Sequence, residues 1–344
     1  MEPIAAPNPF ERPDLEYPSF NVLLFYFSDR RAYRPTIFST REVFCSPDCQ
    51  TQMEGDRLRC LQTPTGIYDV KWVLDRLPAS QHPELAIVKA DASKRSLPTN
   101  LHQLNCPTLF ISGDTHHLHA PIRTLLEYAA QEQFDFVTSE HDRHHLHYFK
   151  EAGFENVFWL PGFSTYPHWQ TPRTNYRYSL SFVGQVGSFH PYRTYVLDRI
   201  KAWGFPLNQL RTSQDKASAI YADSQVNLNI SLNGDLNFRI FEAISSGGFL
   251  LTDKLSPQSG LELLFRDGEH FATFANDLEL RDRVNYFLQN PDVTQAIARR
   301  GCEVYWRNYQ PKTNVKRVLD YIDRREIESI YRVEMDKRSL VLNF

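Results

Sequence analysis

The sequence lacks any apolar run long enough to cross a membrane. Its longest apolar stretches, such as Val22 to Phe27 and Phe249 to Leu251, are far shorter than the roughly 20 residues that a spanning helix requires. Basic residues are not clustered either: 38 Lys and Arg face 41 Asp and Glu, for a net charge of −3. We therefore expect no transmembrane span and no nucleic-acid partner.

Cysteine is scarce, with only five residues in 344. An odd, low number argues against a disulfide scaffold and favours a reducing compartment, so the cytoplasm is the simplest location. Cys45, Cys49 and Cys60 lie close together, but no second pair completes a zinc spacing, and no metal is expected. The proline-rich amino terminus lacks the features of a secretory signal and reads as an extended arm.

What is present is the composition of a folded enzyme, 42% hydrophobic and 23% charged, at a length that suits two domains. Short apolar runs alternate with helical segments, which indicates parallel βαβ units. The predicted class is α/β, with two Rossmann-like domains facing a central cleft and a carboxy-terminal helix crossing the halves. The predicted ranges are 1–165 for a first Rossmann-like domain with the arm, 166–322 for a second Rossmann-like domain, and 323–344 for a terminal helix and tail packing on the first domain.

The predicted strands and helices follow from these runs. In the first half, strands are expected near Asn21 to Phe27, Glu84 to Ala90, Thr108 to Ser112, Phe134 to Thr138 and Val157 to Leu160, with helices over Ala120 to Gln133 and Arg143 to Ala152. In the second half, strands are expected near Ser179 to Val183, Val226 to Ile230, Phe249 to Thr252 and His270 to Phe274. A charged helix with an apolar stripe is expected from Pro311 to about Arg338.

One motif begins at the first strand of the second half. A turn containing Gly184, Gln185 and Gly187 follows the strand, and Pro191 opens a helix that carries Arg193. A glycine turn that leads into a helix amino terminus lets backbone N–H groups approach a phosphate. A simple tight turn is an equally acceptable interpretation of the motif taken alone.

A second motif runs from Asn233 to Asp253 and predicts a loop, a short helix, a glycine pair and a buried strand. Arg239 and Glu242 lie three residues apart and share a helix face, with Asn237 just before them. A cation in the first helical turn opposes the helix dipole, so an anion beside Arg239 would explain it. Glu242 offers two acceptor oxygens to the hydroxyls of a ribose. Lys254 follows the strand and is a further candidate for contact with the anion. The alternative interpretation of Arg239 and Glu242 is a surface ion pair between them.

Seven of the 12 histidines fall in two groups, around residues 114–119 and 141–147. The first follows a strand, at the sheet edge where α/β proteins bind ligands, so Asp114, His116, His117 and His119 are the candidate catalytic group for an acceptor proton. His141 and His145 are expected to share a helix face, as are His144 and His147. Solvated histidines and a metal site built from both groups are the alternatives.

Phe182-Val-Gly, together with the segment from Leu236 to Asp253, resembles the donor domain of group 1 glycosyltransferases, particularly the CgeB-like, spore-maturation branch. The resemblance covers about Ser179 to Tyr321 and implies a GT-B fold, a nucleotide-sugar donor such as a UDP- or GDP-sugar, and no bound metal or other cofactor. The lack of an Asp-x-Asp motif agrees with this. By the same resemblance, Glu242 matches the residue that holds the donor ribose and Arg239 the one near the phosphates. Gly234 stands where many family members have a glutamate, which leaves the donor sugar undetermined.

The predicted function is transfer of a sugar from a nucleoside diphosphate sugar to a hydroxyl-bearing acceptor, which is a glycan, a small molecule or a protein. The expected donor-binding residues are Gly184, Gln185, Gly187, Arg193, Asn237, Arg239, Glu242 and Lys254. One alternative is a histidine-rich, metal-dependent enzyme, and the other is a nucleotide-sugar-binding protein without turnover.

Overall fold

The computed structural model describes residues 8–10, 15–28, 37–115, 118–141, 143–162, 169–170 and 175–333. The described chain divides into two compact units. The first domain comprises residues 17–163 and those from 314 onward, and the second comprises residues 164–313 together with those up to residue 16. The described residues at the amino-terminal end, 8–10 and 15–16, group with the second domain.

The first domain is built around a largely parallel sheet. Its elements are β1 (Asn21–Tyr26), β2 (Arg41–Ser46), β3 (Gln52–Glu54), β4 (Arg57–Gln62), β5 (Gly66–Asp69), α1 (Lys71–Leu74), β6 (Leu85–Ala90), β7 (Ser96–Thr99), β8 (Thr108–Ser112), α2 (Pro121–Glu132), β9 (Phe136–Ser139), α3 (His147–Glu151) and β10 (Val157–Trp159). The sheet order is β10-β9-β8-β6-β1-β2-β4-β3, and β3 pairs antiparallel with β4. β5 and β7 form a separate parallel pair.

The second domain repeats this plan on a smaller sheet. Its elements are β11 (Tyr178–Val183), α4 (Pro191–Ala202), β12 (Leu207–Leu210), α5 (Gln214–Ala222), β13 (Ser224–Asn229), α6 (Phe238–Ser245), β14 (Leu250–Asp253), α7 (Leu261–Leu264), β15 (Ala272–Phe274), α8 (Asp277–Gln289), α9 (Pro291–Asn308) and α10 (Pro311–Arg324), of which α10 continues into the first domain. The sheet order is β12-β11-β13-β14-β15, and every pairing is parallel.

The strands explain why the sequence adopts this fold. In β1, β6 and β8 every residue is buried, as expected for parallel strands covered by helices on both faces. In the second domain, Phe182, Leu228 and Phe249 pack with α4 and α8 residues such as Val196 and Val284 into one core. Two Rossmann-like domains, as predicted, are the result.

Two helix predictions need correction. The segment from Arg143 to Ala152 is not one helix, because a 3₁₀ turn over Arg143–His145 precedes the short α3. His141 lies before both, in the turn after β9, where its backbone N–H donates to Ser139 Oγ at 3.4 Å. The predicted sharing of a helix face by His141 and His145 is therefore wrong.

The last helix is also shorter than the apolar stripe suggests. α10 ends at Arg324, because Arg325 adopts a left-handed backbone conformation with φ of 59°. Tyr321 on α10 packs edge-on against Phe158 of β10, with ring centroids 4.9 Å apart. Within the described residues, no helix has the length and hydropathy needed to span a bilayer.

Candidate functional site

The predicted donor-binding residues collect at one edge of the second sheet. β11, β13 and β14 end at Val183, Asn229 and Asp253, and parallel strands present their carboxyl ends at the same edge. α6 begins beside them, with Asn237 as its N-cap residue. The sheet edge and the amino terminus of α6 therefore share one region of the domain.

Arg239 is fixed in this region by neutral hydrogen-bond acceptors. Its Nε donates to the Val183 carbonyl at 2.5 Å, and its Nη1 donates to Asn229 Oδ1 at 2.6 Å. The guanidinium carbon lies 4.5 Å from the centroid of the Phe182 ring. Asn229 in turn donates to Thr252 Oγ1 at 2.8 Å, so the ends of three strands hold this one side chain.

Gly184 is required by the position of Arg239. A Cβ atom on residue 184 would overlap Arg239 Nη2, since the guanidinium fills the space that a side chain would take. The first glycine of the predicted turn is therefore a point of close approach and not only a turn residue. Gly187 has open space where its Cβ would lie, and its carbonyl accepts from the His190 backbone N–H at 2.9 Å.

Arg193 on α4 is a second, more deeply buried cation. It is 6% exposed and donates to the carbonyls of Ile230, at 3.0 and 3.2 Å, and Gln185, at 2.8 Å. Burial, together with the nearby charge of Arg239, lowers the pKa of Arg193 to about 10, against the opposing effect of Asp235 and Asp253. This arginine clamps the glycine turn to the end of β13.

The two guanidinium groups leave positive charge at this edge of the sheet. Both lie against the Phe182 ring, Arg193 at 5.7 Å and Arg239 at 4.5 Å from its centroid. Among the residues that the structure describes, neither guanidinium hydrogen-bonds a carboxylate; Asp253, the acid at the end of β14, instead accepts from the Ser231 N–H at 2.9 Å and from its hydroxyl. A bound anion would relieve the repulsion between the two cations.

Glu242 lies one turn along α6 and is half-buried. Its two oxygens accept from Gln214 Nε2 at 3.0 Å and from Tyr221 OH at 3.3 Å. Within the described chain, no ion pair joins Glu242 to Arg239, because each is held by other partners. Burial raises the pKa of Glu242, and the charge of Arg239 and the two hydrogen bonds oppose that shift.

Two side chains of this region carry polar atoms that are buried without a partner among the described residues. They are Asn237, the N-cap residue of α6, with Oδ1 and Nδ2, and Gln214, the partner of Glu242, with Oε1. The Asn237 side chain does not cap α6, although asparagine commonly does so at this position. Buried polar groups normally find a hydrogen-bond partner, so these atoms mark a place where a polar ligand would gain contacts.

Gln185 and Lys254, the remaining predicted donor-binding residues, make only backbone hydrogen bonds among the described residues of this region. The Gln185 side chain is exposed, and only its carbonyl takes part in the site, through Arg193. Lys254 is exposed directly after β14, where its backbone N–H donates to the Phe274 carbonyl at 2.8 Å. These two residues lie on the solvent side of the same edge.

Replacing Glu242 by glutamine should stabilise the folded protein more at pH 7 than at pH 4. Because the pKa of Glu242 is raised in the folded state, the free energy of unfolding of the wild type falls as pH rises above the ordinary carboxyl value of 4.5. Glutamine does not ionise, so the variant does not lose stability in this way. The difference in Tm, variant minus wild type, should become more positive from pH 4 to 7.5. Glu262→Gln, at an exposed glutamate, serves as the control with a flat difference. A Glu242→Gln difference that is also flat contradicts the assignment of a costly buried charge.

A second set of polar residues lies at the carboxyl edge of the first sheet. Lys89 at the end of β6 and Glu140 just after β9 form a buried ion pair, with side chains 4% and 0% exposed. His141 Nε2 lies 3.6 Å from Asp114 Oδ1 and 4.0 Å from Glu140 Oε1. Breaking a buried pair such as Lys89–Glu140 costs ~3–5 kcal/mol, so this pair fixes the backbone that carries His141.

The predicted catalytic histidines are only partly placed. Asp114 is beside His141, as just described, whereas His119 is exposed and His116 and His117 lie outside the described residues. His145 Nδ1 lies 2.6 Å from Thr115 Oγ1. In the part of the chain that is described, no group of three or more His, Cys, Asp or Glu side chains is arranged to hold a metal ion.

His141, Glu140 and Lys89 were not singled out by sequence reasoning as site residues. Their position in the sequence could have identified Glu140 and His141, since both directly follow the strand that ends at Ser139. Asp114 was found by that same rule at the end of β8. The ion pair with Lys89 joins residues 51 positions apart, which no local pattern reveals.

Comparison with known proteins finds a family match that covers most of the second domain. Residues 180–320 match a family model described as "Glycosyl transferase-like". No curated protein is a significant match to the chain in sequence.

Three solved structures share its fold at low sequence identity. A glycosyltransferase from Rickettsia africae has a TM-score of 0.61 at 9% identity, covering 90% of this chain and 100% of that one. Sucrose-phosphate synthase from Thermosynechococcus elongatus has a TM-score of 0.56 at 9% identity, covering 88% and 98%. HepE from Anabaena, in complex with UDP-glucose, has a TM-score of 0.55 at 11% identity, covering 88% and 99%.

Proposed function

We propose that this protein, a group 1 glycosyltransferase of the GT-B fold, transfers a sugar from a nucleoside diphosphate sugar to a hydroxyl-bearing acceptor without a metal ion. The observation that carries the proposal is the pair of guanidinium groups, Arg193 and Arg239, held by neutral acceptors at the carboxyl edge of the second sheet. A diphosphate bound there would meet both charges and the amino terminus of α6. The motif from Leu236 to Asp253 supports placing the chain in the CgeB-like branch.

The sugar-linked nucleoside extends from the diphosphate toward Glu242. Each carboxylate oxygen of Glu242 accepts one hydrogen bond within the chain and keeps a lone pair for a ribose hydroxyl. The unpaired atoms of Asn237 and Gln214 supply further donors and acceptors for the donor molecule. Ribose binding by an acidic residue that follows a phosphate-binding turn has the same chemistry as in dinucleotide sites.

Departure of the nucleoside diphosphate is the step that this site assists. Negative charge grows on the diphosphate as its bond to the sugar carbon breaks, and Arg239 is already oriented by Val183 and Asn229 before that charge appears. Donors fixed in advance stabilise such charge without reorganisation. The two arginines, with exposed Lys254 nearby, take the place that a divalent cation has in metal-dependent enzymes.

The acceptor proton is assigned to the polar group of the first domain. Asp114 and His141 lie 3.6 Å apart, so the carboxylate can orient the ring, and a neutral ring can take a proton from the acceptor hydroxyl. His116, His117 and His119 stay in the proposed group as close neighbours of Asp114 in the sequence. The acceptor is a glycan, a small molecule or a protein that carries the attacking hydroxyl.

A UDP-sugar is the proposed donor, with a GDP-sugar as the other candidate. Support for uridine comes from the complex of the Anabaena HepE structure with UDP-glucose. The proposed location is the cytoplasm, because five cysteines in 344 residues are an odd and low number that argues against a disulfide scaffold.

The proposed donor site is tested by thermal shift with UDP, GDP and their sugars, each in EDTA and in Mg²⁺. UDP at about 100 times its Kd should stabilise the wild type by about 2.7 kcal/mol, equally in both buffers. Glu242→Ala should lower the UDP affinity about 10- to 100-fold, because a charge-assisted hydrogen bond pair is lost. Glu262→Ala, at an exposed position, should leave the shift unchanged.

Two results would count against the proposal. An unchanged shift in Glu242→Ala removes the ribose assignment, and a shift that requires Mg²⁺ removes metal independence. Binding without release of UDP, across acceptors of all three classes, would favour a nucleotide-sugar-binding protein without turnover.

A further inference from the structure

The second domain contains a cavity that the donor site does not use. It has a volume of about 320 Å³ and is bordered by Tyr176, just before β11, Ala222, just before β13, and Gly247, just before β14. These residues mark the amino ends of the strands, whereas Arg239 and Glu242 lie toward the carboxyl ends. The cavity and the donor site are thus at opposite edges of one sheet.

The walls of the cavity are mostly apolar. Phe10 of the amino-terminal arm packs edge-on against Trp169, with ring centroids 5.7 Å apart. Ala298 and Cys302 on α9 form the facing wall. Burial raises the pKa of the Cys302 thiol to about 12, and its Sγ lies 3.6 Å from the Ser245 carbonyl, so this cysteine acts as an apolar wall residue.

Two polar groups at the cavity have unused hydrogen-bonding capacity. Trp169 Nε1 is buried and donates to no acceptor among the described residues, although a buried indole N–H usually has a partner. Arg299 lies on α9, lines the cavity and is exposed. In the described part of the chain, its guanidinium has no hydrogen bond or ion pair with a carboxylate. An indole N–H and a guanidinium both require an acceptor, and an acid supplies one to each.

We propose that this cavity is a second small-molecule site that takes an amphipathic acid, with a planar aromatic body between Trp169 and Ala298 and an acidic group facing Arg299. The volume lies at the lower end of the range for ligand pockets, which suits a small aromatic acid and not a nucleotide sugar. Apolar walls with a few convergent polar groups are the general character of such sites. This site is additional to the proposed transferase function and does not depend on it.

The test uses 1-anilinonaphthalene-8-sulfonate, a fluorescent aromatic acid, as the probe for the full-length protein. The wild type should bind it at one saturable site. Arg299→Gln should weaken binding about ten-fold through the lost charge, and Ala298→Trp should abolish it by filling the cavity. Arg307→Gln, which removes an exposed arginine of the same helix paired with Glu303 at 2.7 Å, should bind like the wild type.

The proposal is overturned if Arg299→Gln and Ala298→Trp bind the probe with wild-type affinity, or if UDP displaces the probe competitively. Circular dichroism and Tm verify that each variant is folded. If Ala298→Trp does not fold, the comparison of Arg299→Gln with Arg307→Gln decides. Because the readout is probe fluorescence, an error in the donor assignment does not change the outcome.

Discussion

Arg239→Met should lower kcat for sugar transfer by about 100- to 1,000-fold, the loss that follows removal of one fixed donor from a developing anion. Methionine keeps much of the side-chain volume over the Phe182 ring but provides no charge and no hydrogen bonds to Val183 and Asn229. The donor KM should rise less than kcat falls, because charge on the diphosphate is greatest in the transition state. Steady-state kinetics with saturating acceptor measure both values.

Lysine at the same position sharpens this test. Arg239→Lys keeps the charge but cannot bond Val183 and Asn229 while also facing a phosphate, so it should recover only a small part of the lost rate. Arg281→Met, at an exposed arginine of α8, is the matched control and should retain wild-type kcat. If Arg239→Met were to turn over as fast as this control, the diphosphate would bind elsewhere.

The sequence identifies the two functional residues of α6 but not the hydrogen-bond partners that hold their side chains. Arg239 and Glu242 can be recognised from their spacing and from the strand and glycine pair that follow. The partners of Arg239 are a carbonyl 56 residues away and an amide 10 residues away, and Gln214 reaches Glu242 across 28 residues. Such contacts depend on strand order, which local patterns do not encode.

Burial distinguishes the strands that were predicted from most of those that were not. Those found from sequence are buried runs such as β6 and β8. Six of the described strands were not predicted, namely β2, β3, β4, β5, β7 and β12, although β2 is itself almost fully buried. β3 is fully exposed and β12 lies at the edge of its sheet with only partly buried residues, so neither has the continuous apolar run of a central strand. The predicted class was nonetheless confirmed, because the central strands alone define the doubly covered parallel sheets.

The histidine groups show where pattern reasoning stops. Periodicity placed His141 on a helix face with His145, but residue 141 is still in the turn that follows β9. A tertiary contact accounts for the turn, since Glu140 is buried in an ion pair with Lys89 directly before residue 141. The rule that ligand-binding residues follow parallel strands selected Asp114, and the same rule applied to β9 would have selected His141.

His141→Gln should lower kcat about 100- to 10,000-fold if this ring carries the acceptor proton, the range for loss of a positioned acid or base. Glutamine fills similar space beside Asp114 and Glu140 but has no ring nitrogen to accept the proton. Asp114→Asn should lower kcat less, because asparagine can still orient the ring from 3.6 Å away.

The control for this pair is His102→Gln, at an exposed histidine of the same domain, which should keep the wild-type kcat. The UDP thermal shift of the same variants distinguishes a defect in the first domain from a defect in donor binding by the second. His141→Gln should show the full UDP thermal shift, because its defect lies in proton transfer and not in the site of Arg239 and Glu242. A His141→Gln enzyme with wild-type kcat would contradict the assignment of the acceptor proton to this ring.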